Sequence, residues 1–448
     1  MASVVRKSKR STGISYQELI ASDVVAPPRT LTLENPLTDG VTTVPVTRYT
    51  TQAFHDLEMR KLWPKVWQMA CREEEIPDIG DYVVYDIGSY SIIVVRTAKG
   101  VRAHHNVCRH RGRRLCDGET GHAASFICPF HGFSWNLDGS VRGVTSRWDF
   151  PDIDDAEFIL TPVRAESWGG WVFVNMDVNA EPLAAYLGDL PEHFACWKPE
   201  ERYVEAHVAK IMSCNWKLCQ EAFMEAFHVI NTHPQILEGI GDENSQYDAW
   251  GNFSRAITPN GTPSPHLRRA PSQQEVFDSV IMRHLDDPPT PPLPSNSSAR
   301  AVFAAGARAQ LQPIVGADVP IADAEVADSI YYSLFPNFHP WGGYNRIVYR
   351  FRPYGNRYDK SIMECYYLSP FSGERPPPAP THWLTEEQDW TQAPELGMLA
   401  RIFNQDCFNL PQVQRGLEAA QFDSVVLARY QETKIRHHHT LLERCVNA

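Results

Sequence analysis

The 448-residue sequence lacks several features that would place it in other classes of protein. No stretch approaches the roughly 20 consecutive apolar residues that a membrane-spanning helix needs. The net charge of -12 argues against nucleic acid as a partner, because nucleic-acid-binding chains present an excess of basic residues. No Gly-x-Gly-x-x-Gly fingerprint follows a predicted strand, so the chain is not expected to bind a dinucleotide itself.

The ten cysteines do not have the spacing of a disulfide framework. Cys108 and Cys128 belong to a motif described below, and the other cysteines are scattered through the chain. The basic residues at 6–10 precede no apolar core, so they do not form a secretory signal. These features predict reduced thiols and a cytoplasmic location. Residues 1–48 are polar and contain prolines, which predicts a partly disordered N-terminal segment.

Two short pairs of cysteine and histidine stand seventeen residues apart, Cys108 with His110 and Cys128 with His131. The hairpin signal Asp138-Gly139 follows the second pair, which predicts a β-ribbon beside it. Two thiolates on one iron and two imidazoles on the other form the ligand set of a Rieske [2Fe–2S] cluster. A structural zinc site is the alternative, although zinc fingers usually place both cysteines in one pair and both histidines in the other.

The segment from Asn215 to Pro234 is apolar on nearly all sides, which predicts a buried helix. Glu221, Glu225 and His228 interrupt it at steps of four and three. On a helix this spacing places all three on one stripe. Since buried polar groups need partners or a metal, the stripe is a candidate functional site.

His233 lies five residues after His228 and directly before Pro234. A residue before proline avoids the helical region, so the helix is predicted to end here and to free His233 to turn back. Both imidazoles could then reach one ion. Two histidines and one carboxylate hold the iron of non-haem ferrous oxygenases. Asp406 is the predicted carboxylate, with a capping or ion-paired aspartate as the alternative.

Both motifs, in this order, resemble those of the α subunit of Rieske non-haem iron oxygenases, the aromatic ring-hydroxylating oxygenase family. The resemblance covers about residues 50 to 435. The matching positions of the cluster motif are Cys108, His110, Arg111 and Gly112, followed by Cys128, His131 and Gly132. The matching positions of the catalytic motif are Glu225, His228, His233 and the late Asp406.

The resemblance implies an α+β protein with two domains. Residues 49–165 would form a small antiparallel β Rieske domain. Residues 166–448 would form a catalytic domain in which helices cover an antiparallel sheet, in a helix-grip or START-like arrangement. The implied cofactors are a [2Fe–2S] cluster and a mononuclear Fe(II). Their implied ligands are, respectively, Cys108, His110, Cys128 and His131, and His228, His233 and Asp406.

The implied activity is that of the terminal oxygenase component of a multicomponent system. Such a component uses O2 and electrons from NAD(P)H for mono- or dioxygenation, or for oxidative demethylation, of a hydrophobic and ring-containing small molecule. A separate reductase, in some systems with a ferredoxin, supplies the electrons. They cross between neighbouring protomers, which implies a homotrimer or a multiple of three, and a β subunit can accompany it.

Glu225 departs from the commoner family pattern, which has aspartate at the position that bridges the two centres between subunits. Relatives that act on quaternary ammonium compounds resemble this chain in having glutamate there, so such a compound is an alternative substrate. A role of Glu225 in orienting His228 by a hydrogen bond is also open. A non-catalytic Rieske electron carrier is the alternative from another class.

Three consecutive histidines, His437, His438 and His439, lie near the end of the sequence. They look like a metal tract or a purification tag. Because Arg436 and Leu441 flank them, the sequence favours a C-terminal helix instead.

Overall fold

The structure is a computed structural model that describes residues 14–281 and 289–447. The basic run at 6–10 lies outside the described residues. The α-helices are α1 (Tyr16–Ile20), α2 (Thr47–Thr50), α3 (Gln52–Lys61), α4 (Leu183–Leu187), α5 (Leu190–Phe194), α6 (Trp216–Glu221), α7 (Val229–Thr232), α8 (Gln273–Ile281), α9 (Ala299–Val315), α10 (Asp323–Ala327), α11 (Leu399–Glu418) and α12 (Thr433–Asn447).

The strands belong to four sheets and are numbered in chain order. They are β1 (Thr43–Pro45), β2 (Gln68–Arg72), β3 (Asp81–Ile87), β4 (Tyr90–Thr97), β5 (Gly100–His105), β6 (Thr120–His122), β7 (Phe126–Ile127), β8 (Ser134–Trp135), β9 (Val141–Gly143), β10 (Pro162–Trp168), β11 (Trp171–Asn175), β12 (Arg202–Met212), β13 (Gln246–Trp250), β14 (Phe253–Thr258), β15 (Ser329–Leu334), β16 (Phe338–Pro340), β17 (Ile347–Pro353), β18 (Ser361–Pro370), β19 (Thr381–Leu384) and β20 (Ser424–Val426).

An antiparallel seven-stranded sheet in the order β2-β11-β10-β5-β4-β3-β6 forms the first part of the fold. In β3 the buried residues Val83, Tyr85 and Ile87 alternate with more exposed ones, as a strand with one buried face requires. The ribbon β7-β8-β9 lies beside this sheet, and the predicted Asp138-Gly139 turn connects β8 to β9. The predicted domain boundary at residue 165 falls inside β10. The division into domains therefore stays a prediction.

An eight-stranded sheet in the order β13-β14-β15-β16-β17-β18-β12-β19 forms the second part, with only the β12–β19 pair parallel. Strands β17 and β18 are buried on both faces. On one face Tyr349 and Cys365 share a core with Phe403 of α11. On the other face Tyr366 packs against Trp171 of β11, with ring centroids 5.5 Å apart. Helices thus cover an antiparallel sheet, and the predicted α+β class is confirmed.

The two ends of the described chain pack against the same body. Strand β1 pairs with β20. The predicted C-terminal helix is confirmed as α12, whose three histidines are all buried. Across residues 14–281 and 289–447, no helix combines the length and the apolar character needed to cross a membrane.

Candidate functional site

Two loops of matching geometry carry the four predicted cluster ligands. In the first, the Gly112 amide donates to the Cys108 carbonyl at 3.0 Å, and in the second the Gly132 amide donates to the Cys128 carbonyl at 2.9 Å. Gly112 and Gly132 have φ values of 76° and 77°, which lie in the left-handed region that favours glycine. The glycine of each motif therefore allows the same tight turn in both loops.

The four side chains converge where these loops meet. The Cys108 thiol is buried beside that of Cys128, and burial raises its pKa, as does the neighbouring thiol. The rings of His110 and His131 lie with their centroids 4.7 Å apart. His110 also stacks on Phe133 at 4.6 Å. Two thiols and two imidazoles thus share one small volume, as the sequence predicts.

The geometry fits a two-iron cluster better than a single zinc ion. The Nδ1 atom of His110 is buried and has no hydrogen-bond partner among the described residues, which suits an atom that binds a metal. A tetrahedral zinc ion would hold its ligand atoms within about 4 Å of one another, given bond lengths of roughly 2.0–2.3 Å. Within the described part of the chain, the Cys/His set does not form a group in which three ligand atoms lie within 4.8 Å of one another.

The predicted continuous helix over residues 215–233 is wrong, because the chain forms α6 and α7 with an irregular turn between them. Two backbone amides in this turn bond to side chains instead of to helical carbonyls. The Ala226 amide donates to the Tyr247 hydroxyl at 3.0 Å, and the His228 amide donates to Glu225 Oε2 at 3.0 Å. These bonds end the first helix and allow the second to begin after His228.

Because the helix is broken, Glu221 does not join Glu225 and His228 on one stripe. Its carboxyl group lies 3.1 Å from the Tyr49 hydroxyl, which donates to it, and 2.8 Å from His439 Nε2. Burial raises the pKa of Glu221 to about 8. Burial thus favours the neutral form of Glu221, which belongs to a buried network that the sequence did not predict.

The structure does bring His228, His233 and Asp406 together. Their candidate ligand atoms all lie within 4.8 Å of one another. Asp406 Oδ1 lies 2.8 Å from His233 Nε2 and 3.5 Å from His228 Nε2. The backbone of His233, before Pro234, has φ -128° and ψ 52°, which confirms that the helix ends there. Asp406 lies inside α11, so it does not cap that helix.

A second set of hydrogen bonds orients both imidazoles. Glu225 Oε1 lies 2.7 Å from His228 Nδ1, and Gln405 Oε1 lies 2.8 Å from His233 Nδ1. An acceptor at Nδ1 keeps the proton there and leaves the Nε2 lone pair free for a metal. The orienting geometry considered for Glu225 is thus present. Sequence reasoning missed Gln405, for which adjacency to Asp406 was the only signal.

A cavity of about 340 Å³ opens beside the three residues. Aromatic and aliphatic side chains provide most of its wall, and several come from the eight-stranded sheet rather than from the motif segments. The aromatic residues that line it are Phe223, Phe303, Tyr331, Trp341, Tyr349 and Phe403. Sequence reasoning did not single out the sheet residues, because a strand buried on both faces gives no sign of which side chains meet a cavity.

Comparisons with known proteins agree with this architecture. Residues 66–151 match the model of the Rieske [2Fe-2S] domain. Residues 195–448, more than half of the chain, match the model of the ring hydroxylating alpha subunit, catalytic domain. The chain therefore belongs to the ring-hydroxylating α-subunit family, as the resemblance of its motifs implied.

Relatives within this family have different substrates in their names. The glycine betaine monooxygenase oxygenase subunit of Pseudomonas aeruginosa is 32% identical over 193 residues, which cover 43% of this chain and 45% of that protein. The anthranilate 1,2-dioxygenase large subunit of Acinetobacter baylyi is 33% identical over 203 residues, 44% of this chain and 43% of that protein. The chain thus matches about half the length of these curated relatives.

Solved structures share the fold over nearly the whole chain. A quaternary ammonium Rieske monooxygenase in complex with L-carnitine is 18% identical, with a TM-score of 0.61 over 91% of this chain and 96% of that chain. Naphthalene 1,2-dioxygenase with indole bound is also 18% identical, with a TM-score of 0.63 over 91% of this chain and 92% of that chain.

Proposed function

We propose that this chain is the terminal oxygenase component of a Rieske oxygenase, which uses O2 and electrons from NAD(P)H to oxidise a hydrophobic, ring-containing small molecule. The observation that carries the proposal is the presence of two unlike donor sets in one chain. One set contains two thiols and two imidazoles, and the other contains two imidazoles and a carboxylate beside an apolar cavity. An electron carrier needs only the first set.

Cys108, Cys128, His110 and His131 would hold the [2Fe–2S] cluster. When bound, such a cluster accepts and donates single electrons at a higher potential than an all-thiolate cluster. The chain keeps both thiols buried, while the histidine side lies nearer to the surface, since Phe130 beside His131 is 54% exposed. This asymmetry supports electron entry and exit through the imidazole edge.

His228, His233 and Asp406 would hold a mononuclear Fe(II). When bound, such an ion would supply the chemistry that activates O2. The chain fixes the two Nε2 atoms through Glu225 and Gln405 and places the ligands at the wall of the cavity. The cavity would hold the substrate beside the metal and limit the access of water.

The apolar and aromatic wall supports a ring-containing substrate, as in the catabolism of aromatic compounds. A quaternary ammonium compound is the second candidate. Two features of the cavity wall favour it. Its aromatic faces would attract such a cation, and so would the carboxyl group of Glu225. The name of the glycine betaine relative supports it as well.

Partners follow from the same proposal. The absence of a dinucleotide fingerprint from the sequence supports a separate NAD(P)H-dependent reductase, with or without a ferredoxin.

Exposed apolar residues near both centres support a homotrimer in which one protomer's cluster meets its neighbour's iron. Trp148, on the cluster side, is 82% exposed, and Phe408, two residues after Asp406, is 75% exposed. The ten free thiols support a reducing, cytoplasmic location.

The test combines spectroscopy with turnover. The purified protein is expected to be brown, to contain acid-labile sulfide and to give a Rieske-type EPR signal. With a reductase and NADH, it is expected to consume O2 when panels of aromatic, polycyclic and trimethylammonium compounds are added. Mass spectrometry of the products would then assign mono- or dioxygenation, or demethylation.

Each alternative predicts a different result. A colourless protein with stoichiometric zinc would indicate a zinc-stabilised binding module. A brown protein that exchanges electrons but never consumes O2 would indicate an electron carrier. Turnover confined to trimethylammonium compounds would select the second substrate class.

A further inference from the structure

Most polar side chains of the cavity wall already bond to other protein groups. The Thr258 hydroxyl lies 3.2 Å from the Tyr331 hydroxyl. The side-chain amide of Asn260 donates to the Ala327 carbonyl at 2.8 Å. These groups have little hydrogen-bonding capacity left for a ligand.

Tyr349, on β17, is an exception. Its side chain lines the cavity and is only 2% exposed, and its ring packs near Phe223 and Phe403 with centroids 5.2 and 5.7 Å away. Among the described residues, none forms a hydrogen bond with its hydroxyl. The oxygen is also not sealed by protein atoms, so it faces the open space of the cavity. A hydroxyl that faces a cavity without a protein partner bonds to water when the cavity is empty and is available to a ligand that displaces that water.

A second side chain that carries a donor packs beside that of Tyr349. The indole ring of Trp341 also lines the cavity, with its centroid 6.0 Å from that of Tyr349. Its N–H likewise has no acceptor within the described part of the chain. An indole N–H can only donate, and a phenol is a good donor. The sheet wall of the cavity therefore carries two side chains whose donors have no protein acceptor among the described residues, which suits an acceptor atom on the ligand.

The charges in the wall indicate what kind of acceptor fits. The wall contains the carboxyl groups of Glu225 and Asp406, whereas no lysine or arginine lines it among the described residues. With Fe(II) bound, the ion and the two acids sum to no net charge, so a carboxylate ligand would gain no net attraction and would have no lysine or arginine to pair with, which is unfavourable in a buried site. An uncharged oxygen would satisfy the donors without that cost.

We propose that the Tyr349 hydroxyl, assisted by the Trp341 indole, selects ring-containing substrates that carry an uncharged oxygen acceptor such as a carbonyl or a hydroxyl group. This inference rests on the proposed function and names the substrate class of the same cavity. Tyr349 acts as a specificity-determining residue, because it binds the substrate at the wall that the sheet provides and sets which ring carbon faces the metal ligands.

The test uses a matched pair of probes, tetralin and 1-tetralone, which differ by one carbonyl oxygen. Binding to the purified protein without O2 is measured by calorimetry, alongside kcat/KM for both probes with reductase and NADH. The wild type is expected to bind the ketone more tightly. In Y349F the ratio of the affinities for 1-tetralone and tetralin is expected to fall about three- to tenfold, which corresponds to the loss of one neutral hydrogen bond, while the affinity for tetralin is unchanged. Its Tm should not fall, because the removed hydroxyl has no protein partner.

Y367F is the matched control. The Tyr367 hydroxyl donates to the Leu396 carbonyl at 2.9 Å and lies outside the cavity wall, so its loss should lower the Tm and leave the probe preference intact. Equal binding of both probes by the wild type, failure of both to bind, or an unchanged preference in Y349F would overturn the inference. Tighter binding of tetrahydronaphthoate than of the ketone would do the same.

The outcomes separate this inference from the proposed function. A protein that prefers the ketone through Tyr349 and yet never consumes O2 would refute the oxygenase proposal and leave the inference about Tyr349 standing. Oxygenation of both probes with no effect of Y349F would refute the specificity alone.

Discussion

The two candidate metal sites are built in different ways. The cluster ligands come from two loops in which ligands stand two or three residues apart, and each loop closes with its own glycine turn. The other site joins His228 and His233 to Asp406, which lies more than 170 residues further along the chain on a different helix. The first site is therefore encoded locally, whereas packing of α11 against the sheet and α6 assembles the second.

This difference extends to the surroundings of each site. The cluster loops sit beside exposed apolar residues, Phe130 and Trp148, as a site that exchanges electrons with partners requires. His233 and Asp406 are almost fully buried and face a cavity. Electron transfer tolerates an exposed edge, but oxygen chemistry needs a dry and shaped pocket. The division of labour in the proposed function follows from this contrast.

His228→Ala should have the largest effect on one site without disturbing the other. It removes one of three candidate metal ligands, so turnover is expected to fall below detection. Among the described residues, no hydrogen bond, ion pair or ring contact joins the cluster loops to His228, so the visible and EPR spectra of the cluster should be unchanged. Iron content is expected to fall by one atom per chain, measured against acid-labile sulfide.

Cys128→Ser tests the cluster site in the same way. It should remove the colour, the labile sulfide and the turnover, while the cavity still binds a substrate. Loss of colour in His228→Ala would contradict the separation of the two sites. Retention of turnover in either variant would contradict the proposed function.

The same contrast explains what the sequence could predict. Both loops around Cys108 and Cys128 follow from local spacing and the glycine turns. The pairing of His228 with His233 follows from the proline after it. The break between α6 and α7 does not, because a tertiary contact, the Tyr247 hydroxyl on the Ala226 amide, replaces a helical bond in a segment with helical composition.

The residues of the cavity wall could not be predicted from the sequence either. Tyr349 and Trp341 lie in or beside strands buried on both faces, where the period-2 pattern that distinguishes the faces is absent. Glu221 was predicted on the site stripe, yet the helix break turns it toward Tyr49 and His439. Long-range packing decides each of these positions.

Glu225→Gln sharpens the comparison by testing the link between the two sites. The amide can still accept from the His228 amide and ring, so iron and cluster should both be retained. Loss of the negative charge should slow the oxidation of the reduced cluster, measured in a single turnover with O2 and substrate. We expect a decrease of about 10- to 100-fold, which is typical when a group that orients a metal ligand is changed. Stopped-flow absorbance of the cluster measures that rate.

Glu221→Gln is the control for that experiment, since it makes the same substitution at a nearby buried acid that contacts neither candidate metal site. Its single-turnover rate should match that of the wild type. Equal rates in all three proteins would refute a bridging role for Glu225 and leave it only the structural bond to His228.

The smallest expected effect is on stability, and it concerns the same Glu221→Gln variant. Burial raises the pKa of Glu221 from 4.5 to about 8, so the folded chain keeps a proton that the unfolded chain releases. Between about pH 5 and 8 this group should therefore lower the free energy of unfolding as the pH rises, by at most about 1.4 kcal/mol per pH unit, and its contribution should level off above pH 8. Glutamine has no such proton but can make the same bonds to Tyr49 and His439. The free energy of unfolding would be measured with urea at several pH values. From pH 5 to 8 it should thus decrease in the wild type relative to the variant. Parallel pH profiles would mean that Glu221 is ionised in the folded protein.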